Sequence, residues 1–370
     1  MEFIDLNAQL HHMRSAIEER INKVLDHGQF IMGPEVYELE EQLANYVGVK
    51  HCVSCANGTD ALQIALMCHD IGHGDVVFTT SFSFFATAEV IALTGATPYF
   101  VDIDPTTFNI DPVKLEAAIQ AVRSSDLGEP KAVIAVDLFG LPANYLALEP
   151  MCELYGLTLI EDAAQGFGGS IGNRRSGSFG DIATTSFFPA KPLGCYGDGG
   201  ALFTDNDETA EKMRSLRVHG KGDHKYQNIR IGLNSRLDTI QAAILIEKLA
   251  HFPDELVHRQ AISQCYSAIN FQCQKPEVPS GFTSSWAQYT LMVAPENRQA
   301  FQDQLKRANI PTAIYYPIPL DQQPAFSDAL SPPTPIAAKV ATQVISIPMS
   351  GYISLQDCQT VVDVINGLQN

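Results

Sequence analysis

One lysine, Lys191, stands at the end of a predicted strand, where its amine can be used in chemistry. An apolar run, Ile182–Phe188, stops at Pro189, and a glycine-rich turn leads into a second strand, Ala201–Thr204. An amine becomes nucleophilic near neutral pH when burial or nearby positive charge lowers its pKa, and aldehyde cofactors such as pyridoxal phosphate capture such amines. Taken alone, Lys191 is more simply explained as a surface residue in a turn.

A carboxylate in the right place favours the chemical interpretation. Asp162 and Gln165 follow a predicted apolar strand, Leu157–Ile160. A pyridine-aldehyde cofactor needs a carboxylate opposite its ring nitrogen, because a protonated nitrogen makes the ring an electron sink. Asp162 can supply that group, Gln165 can hydrogen-bond the phenolic oxygen, and Phe84 can stack on the ring face. The alternative for Asp162 is a structural role as the cap of a turn or helix.

A phosphate-binding turn is the third candidate feature. Gly58 and Thr59 lie between a short apolar stretch, His51–Ser54, and a predicted helix, Ala61–Cys68. Free backbone N–H groups at a helix start bind anions, and the Thr59 hydroxyl can assist them. The same pattern also fits a simple turn in which Asp60 caps the helix.

The elements that must position these residues follow an α/β pattern. Nearly continuous apolar strands alternate with helices over residues 76–160, which indicates a buried, mostly parallel sheet with ligands at the carboxyl ends of its strands. We predict a large domain over residues 1–240 and a small α+β domain over residues 250–370. The small domain is expected to contain a strand at Thr312–Tyr316. A helix at Thr239–Leu249 is expected to connect the domains, and Arg214–Arg236 to form an excursion outside the core.

Composition excludes several classes of function. The 370 residues carry a net charge of −18, which repels nucleic acid and anionic membranes. The N-terminus shows no targeting signal and no stretch is long enough to span a bilayer, so a cytoplasmic protein is expected. The eight cysteines are interpreted as buried apolar residues rather than disulfides, and His11 and His12 as solvated helix residues rather than metal ligands.

The ordered motifs together resemble a known family. In chain order, the motifs are Asn57-Gly58-Thr59, Ser81–Thr87, Gly95–Pro98 with Val101–Asp104, Glu161–Gln165, Ser186–Lys191, Gly197–Gly200 and Asn234–Arg236. This set is similar to the DegT-type nucleotide-sugar aminotransferases, and the likeness runs from Phe3 to the C-terminus. The resemblance implies a pyridoxal-phosphate enzyme of fold type I, the fold of aspartate aminotransferase.

The resemblance also implies residue roles. Lys191 would bind the cofactor covalently and move protons, Asp162 would pair with the pyridine nitrogen, and Gln165 with the phenolic oxygen. Phe84 would stack on the ring. The phosphate would be held by Gly58, Thr59, Ser186 and, from the other subunit, Asn234. Since members of this family that dehydrate sugars carry a histidine in place of the lysine, Lys191 favours transamination.

Partners and substrate follow from the same resemblance. The family works as a homodimer with composite active sites. The likeness extends to enzymes that aminate C3 of a UDP-linked 2-acetamido-3-keto-glucuronic acid, with L-glutamate as donor and 2-oxoglutarate as product, on the way to surface polysaccharide. Amination at C4 of a UDP- or dTDP-keto-sugar stays open, as does a cofactor-binding regulator without turnover. Arg236 is the candidate for the uronate carboxylate, with Tyr315 and Tyr316 as hydroxyl donors; Tyr315 stands where those relatives carry a histidine.

Overall fold

The computed structural model of the chain describes residues 1–224 and 226–368. Residue 225, within the predicted excursion, and residues 369–370, at the end of the predicted small domain, lie outside the described residues. Within the described residues, the helices are α1 (Leu6–His27), α2 (Pro34–Val47), α3 (Gly58–Cys68), α4 (Ala86–Leu93), α5 (Pro112–Arg123), α6 (Tyr145–Tyr155), α7 (Asp207–Leu216), α8 (Thr239–Tyr266), α9 (Pro295–Arg307), α10 (Pro335–Gln343) and α11 (Leu355–Asn366).

The strands are short and mostly buried. In the same described ranges they are β1 (His51–Cys55), β2 (Asp75–Thr80), β3 (Thr97–Val101), β4 (Glu129–Val136), β5 (Thr158–Asp162), β6 (Ser170–Ile171), β7 (Arg174–Arg175), β8 (Ile182–Ser186), β9 (Gly200–Thr204), β10 (Phe282–Thr283), β11 (Tyr289–Met292) and β12 (Val344–Ile347).

The main sheet places several strand ends at one edge. Its order is β1-β9-β8-β5-β4-β2-β3, with β9 antiparallel to both neighbours and the run from β8 to β3 parallel. Helices cover both faces, so the strands are buried on both sides and read as continuous apolar runs. Because Asp162 ends β5 and Ser186 ends β8, their side chains meet at the same carboxyl edge. The predicted mostly parallel sheet is confirmed.

A second apolar core lies in the C-terminal part of the chain. The antiparallel pair β11 and β12 packs with α9, α11 and the second half of α8. The first half of α8 packs against α1 and α2. The predicted boundary between residues 240 and 250 therefore falls inside a continuous helix. The predicted helix Thr239–Leu249 is too short, because α8 continues through Pro253 to Tyr266. The two-domain division stays a prediction.

Two other expectations need correction. Residues 312–316 form no regular strand in the structure; Ala313 alone makes a bridge, to Ser346. Prolines at 311, 317 and 319 bracket this segment, and each lacks the N–H group that a ladder requires. Residues 214–236 are also not wholly outside the core, because Arg217 is 3% exposed and pairs with the buried Glu40.

The cysteines are mostly buried, and the paired histidines near the N-terminus are exposed. All eight cysteines lie in the described part of the chain as free thiols, six of them buried. His11 and His12 are exposed on α1. Among residues 1–224 and 226–368, no group of His, Cys, Asp and Glu is arranged to hold a metal. No described helix combines the length and apolar character needed to cross a bilayer.

Candidate active site

A cavity of about 700 Å³ opens at the carboxyl edge of the main sheet. Most of the predicted site residues line it: Gly58, Thr59, Phe84, Asp162, Gln165, Ser186, Lys191, Tyr315 and Tyr316. These residues come from strand ends, a helix start and the C-terminal part of the chain. The fold therefore brings together groups that are far apart in sequence.

Asp162 is held in the cavity wall by two hydrogen bonds. Asp162 is 5% exposed, and its carboxylate accepts from the Thr87 hydroxyl at 2.9 Å and from the Ala164 N–H at 3.2 Å. Burial raises the pKa of Asp162, while Thr87 and the nearby Lys191 ammonium act in the opposite direction. A buried carboxylate facing a cavity is suited to hold a protonated ring nitrogen.

Lys191 interacts electrostatically with the carboxylate of Asp162. Burial lowers the pKa of Lys191, and the charge of Asp162 partly offsets that effect. Desolvation thus favours the neutral amine, which is the nucleophilic form. The loop after β8 fixes the backbone here, because the Lys191 N–H donates to the Phe188 carbonyl at 2.8 Å.

Two hydroxyls that support Asp162 received no role from the sequence. Ser83 and Thr87 are buried and share a hydrogen bond of 3.0 Å, and this bond orients the Thr87 hydroxyl toward Asp162. Both belong to the Ser81–Thr87 run just before and at the start of α4. That cluster of hydroxyl residues is the sequence signal that could have identified them.

The Gln165 side chain joins Phe139 to Tyr316 by hydrogen bonds. Its Oε1 accepts from the Phe139 N–H at 2.8 Å, and its Nε2 donates to the Tyr316 hydroxyl at 3.1 Å. Nε2 carries two N–H groups, so a second donor is available for a ligand oxygen. Burial raises the pKa of Tyr316, which keeps its hydroxyl protonated at neutral pH.

The start of α3 forms a tight cradle against the sheet. A Cβ atom added at Gly58 would lie 2.6 Å from the Cβ of Ser186, and one added at Gly200 would lie 2.5 Å from the Asn57 backbone. The Asn57 side chain caps α3 by accepting from the Asp60 N–H at 2.8 Å. The first N–H groups of α3, together with the Thr59 and Ser186 hydroxyls, make a site of the size and polarity that a phosphate requires.

Phe84 presents an apolar face to the same cavity. Its side chain is 55% exposed, and its ring centroid lies 6.4 Å from that of Tyr316. An exposed phenyl ring in the wall of a cavity is suited to stack on a planar ligand. A carboxylate, an amine, a phosphate cradle and a stacking ring therefore fit pyridoxal phosphate together.

Gln288 is a further cavity residue that sequence reasoning missed. It lies just before β11, and its backbone N–H donates to the Phe139 carbonyl at 3.3 Å. Its Oε1 is buried and finds no hydrogen-bond partner among the described residues. No pattern in the sequence marks it, because only the packing of the C-terminal part against the sheet brings it to the cavity.

Asn234 and Arg236 are separate from this group. They do not appear among the described residues that line the cavity, and the Arg236 guanidinium donates to the Asn234 side-chain oxygen. Both lie on the segment between α7 and α8. Their predicted roles in phosphate and uronate binding stay predictions.

The chain matches the DegT/DnrJ/EryC1/StrS aminotransferase family over residues 11–366. The chain belongs to this family. It is 48% identical over 355 residues to the UDP-2-acetamido-2-deoxy-3-oxo-D-glucuronate aminotransferase of Pseudomonas aeruginosa, covering 95% of this chain and 96% of that protein. It is 38% identical to the UDP-N-acetyl-3-dehydro-alpha-D-glucosamine 3-aminotransferase of Acidithiobacillus ferrooxidans, covering 98% and 96%.

A solved structure agrees with this assignment. The crystal structure of a DegT DnrJ EryC1 StrS aminotransferase from Brucella abortus superposes with a TM-score of 0.97 at 48% identity, covering 99% of each chain. The fold-type-I architecture and the assignment as a pyridoxal-phosphate-dependent sugar aminotransferase are thereby confirmed.

A buried carboxyl pair stands behind the site in this aminotransferase. Asp137 and Glu161 are both 0% exposed, and each alters the pKa of the other. Asp137 accepts from the Ser176 hydroxyl at 2.7 Å, and a Cβ added at Gly166 would lie 2.2 Å from its Oδ2. Asp137 thus packs against the turn that carries Gln165.

Because Asp137 and Glu161 are buried, we predict that the free energy of unfolding falls as pH rises. Burial raises the pKa of Asp137 to about 6 and raises the pKa of Glu161 well above its usual range. Unfolded carboxyls titrate near pH ~4, so above that pH the folded chain binds more protons and the free energy of unfolding decreases with pH. Glu161→Gln removes one titrating group and should flatten the decline by up to about 1.4 kcal/mol per pH unit.

The measurement is urea unfolding of parent and Glu161→Gln at a series of pH values across the weakly acidic to neutral range. The variant loses an acceptor for either the Gly177 or the Phe179 N–H, so its absolute stability is lower. Parallel pH dependences in the two proteins would show that Glu161 does not hold the proton.

Proposed function

We propose that this enzyme uses pyridoxal phosphate to transfer an amino group to C3 of UDP-2-acetamido-2-deoxy-3-oxo-D-glucuronate, with L-glutamate as donor. The single observation that carries the transaminase chemistry is the pairing of Lys191 and Asp162 across one cavity, each altering the other's pKa. The choice of sugar is supported by the 48% identity to the P. aeruginosa enzyme. Its expected place is the synthesis of diacetamido uronic acid for surface polysaccharide.

The residues that would hold the cofactor are those of the cavity wall. The start of α3 and Ser186 would bind the phosphate, Phe84 would cover the ring, and Asp162 would face the ring nitrogen. Bound there, pyridoxal phosphate supplies an electron sink that stabilises negative charge on the carbon next to the transferred nitrogen. Asp162 strengthens that sink because its charge favours a protonated nitrogen.

Lys191 would move the proton. Burial lowers the pKa of the Lys191 ammonium, and in its neutral form the Nζ would take a proton from the α-carbon of glutamate and return it on the cofactor side. Glutamate becomes 2-oxoglutarate as the sugar ketone becomes an amine, so the two half-reactions balance without an external oxidant. The cavity wall near Tyr315 and Tyr316 would orient the sugar.

The partner subunit is part of this proposal. Large apolar side chains are exposed on the segment just before Asn234 and on the segment that bridges to Asp238: Ile229 (54%) and Ile231 (89%) on the first, Phe30 (47%) and Ile31 (50%) on the second. Large exposed apolar patches are typical of interfaces, and we propose that these side chains belong to one. A homodimer that covers it would carry Asn234 and Arg236 into the neighbouring cavity, where the two residues would meet the cofactor phosphate and the uronate.

A panel of amino sugars tests the reaction. When the reaction is run in reverse with 2-oxoglutarate, the enzyme with bound cofactor should act best on the UDP-linked 2-acetamido-3-amino uronic acid. The Lys191→Ala variant should show no turnover, because the covalent partner and the proton carrier are lost together. Turnover is followed by the absorbance of the cofactor.

The other outcomes of this panel separate the alternatives. Faster reaction of a UDP- or dTDP-4-amino sugar would move the assignment to C4. Cofactor binding without any conversion by glutamate would favour a regulator. Turnover close to the parent rate in Lys191→Ala would contradict the role of Lys191.

Arg236→Lys tests recognition of the uronate. A guanidinium binds a carboxylate through two parallel hydrogen bonds that an ammonium cannot reproduce. We expect kcat/KM to fall by the equivalent of about 1.5–3 kcal/mol on the UDP-keto-uronate and much less on the matching keto-sugar without the carboxylate. Steady-state kinetics of the dimeric enzyme on both acceptors is the measurement. An equal loss on both would show that Arg236 only braces its loop against Asn234.

A further inference from the structure

The proposed catalytic roles do not account for the Val101–Asp104 motif, which contains Asp102. Asp102 directly follows β3, is 8% exposed, and belongs to the predicted large domain. Its carboxylate contacts a helix more than two hundred residues later in the chain. Oδ1 accepts from the Ala337 N–H at 2.9 Å and Oδ2 from the Ile336 N–H at 3.0 Å.

These bonds cap α10 from outside the helix. Thr334, at the N-cap position, accepts no side-chain hydrogen bond from the described residues, and Pro335 occupies the first turn. The free N–H groups at a helix start carry partial positive charge, so a buried carboxylate there gains both hydrogen bonds and a favourable charge interaction. Lys114 of α5 lies 3.4 Å from Oδ2 and balances the charge.

The helix that Asp102 caps packs beside the cavity. Ala337 and Val340 of α10 belong to a buried apolar cluster that includes Phe82 and Phe139, and Tyr315 and Tyr316 pack against that cluster. The Tyr316 hydroxyl accepts from Gln165, as described above. A continuous set of contacts therefore runs from Asp102 through α10 to the tyrosines of the cavity wall.

Backbone bonds extend the same connection. β12 follows α10 directly, and its Ser346 exchanges two hydrogen bonds with Ala313, just before the tyrosines. On the far side of the tyrosines, the Leu320 N–H donates to the Ser81 carbonyl at 2.7 Å. The tyrosine segment is thus held at both ends, and α10 and β12 provide one of the two supports.

We propose that Asp102 is a positioning residue that sets the width of the active-site cavity. By fixing the start of α10 to the end of β3, it holds Tyr315 and Tyr316 at their place opposite Lys191 and Asp162. Asp102 acts through the helix and does not itself line the cavity. Its effect on substrate rests on the proposed function, whereas its effect on the tyrosine segment does not.

Hydrogen exchange of Asp102→Asn tests the structural half of this proposal. The amide must turn an N–H toward one of two helix donors, so capping is weakened. We expect exchange at Ile336, Ala337 and Ala313 to accelerate by about fivefold or more, as the loss of a cap implies. Acceleration confined to Ile336 and Ala337 would overturn the proposal.

Asp104 offers matched controls on the same turn. Its Oδ1 alone accepts from the Thr106 and Thr107 N–H groups, both at 2.8 Å, and among the described residues its carboxylate makes no hydrogen bond to α10. Asp104→Asn makes the same change in charge while keeping those bonds, and Asp104→Ala weakens the turn without uncapping the helix. Neither control should accelerate exchange at Ala313; acceleration in either would show that general loosening of the turn is sufficient.

Steady-state kinetics tests the functional half. Because Asp162 is held at the end of β5 and Lys191 in the loop after β8, Asp102→Asn should raise KM for the keto-sugar by about fivefold while kcat stays within about twofold, and Asp104→Ala should leave KM unchanged. A lowered kcat with unchanged KM would contradict the proposed route through the tyrosines. If the parent aminates no keto-sugar, the proposed function fails, and the exchange experiment still decides the role of Asp102.

Discussion

The buried carboxylate of Asp162 is the constraint on which the active site depends. A charge removed from water at the end of a strand is costly unless it is hydrogen-bonded or paired. Thr87 and the Ala164 N–H supply hydrogen bonds, and the Lys191 ammonium supplies opposite charge. A protonated ring nitrogen in the cavity would provide a further partner. The cost of burying Asp162 is therefore offset by the same groups that would carry out transamination.

Close packing of backbone segments forms one side of the ligand cavity. Gly58 and Gly200 allow the start of α3 to approach the ends of β8 and β9 so tightly that a methyl group at either position would collide. Behind the site, the buried Asp137 packs against the turn that carries Gln165, and the buried Glu161 accepts from the Gly177 and Phe179 N–H groups. These contacts fix the backbone around the cavity, whereas the side-chain oxygen of Gln288 has no hydrogen-bond partner among the described residues.

The sequence predicted local features well. The lysine after β8, the acidic residue at the end of β5 and the turn before α3 were each identifiable, because strand ends and helix starts are marked by short patterns. The sequence did not predict Gln288 or the roles of Thr87 and Asp102, since these depend on which segments meet in space. Residues 312–316 were expected to form a strand because they combine β-branched and aromatic side chains, but the surrounding prolines prevent a ladder. Asn234 and Arg236 lie outside the cavity of a single chain, so their proposed roles depend on the proposed dimer interface, which one chain does not contain.

The half-reaction of Asp162→Asn with glutamate tests the central claim most directly. The amide keeps the shape of the side chain and its bond to Thr87, but it no longer favours a protonated ring nitrogen. Conversion of the bound cofactor to its pyridoxamine form, followed by rapid-mixing absorbance, should slow by about a hundredfold or more while the cofactor remains bound. A rate within a few-fold of the parent would show that Asp162 is only a structural cap at the end of β5.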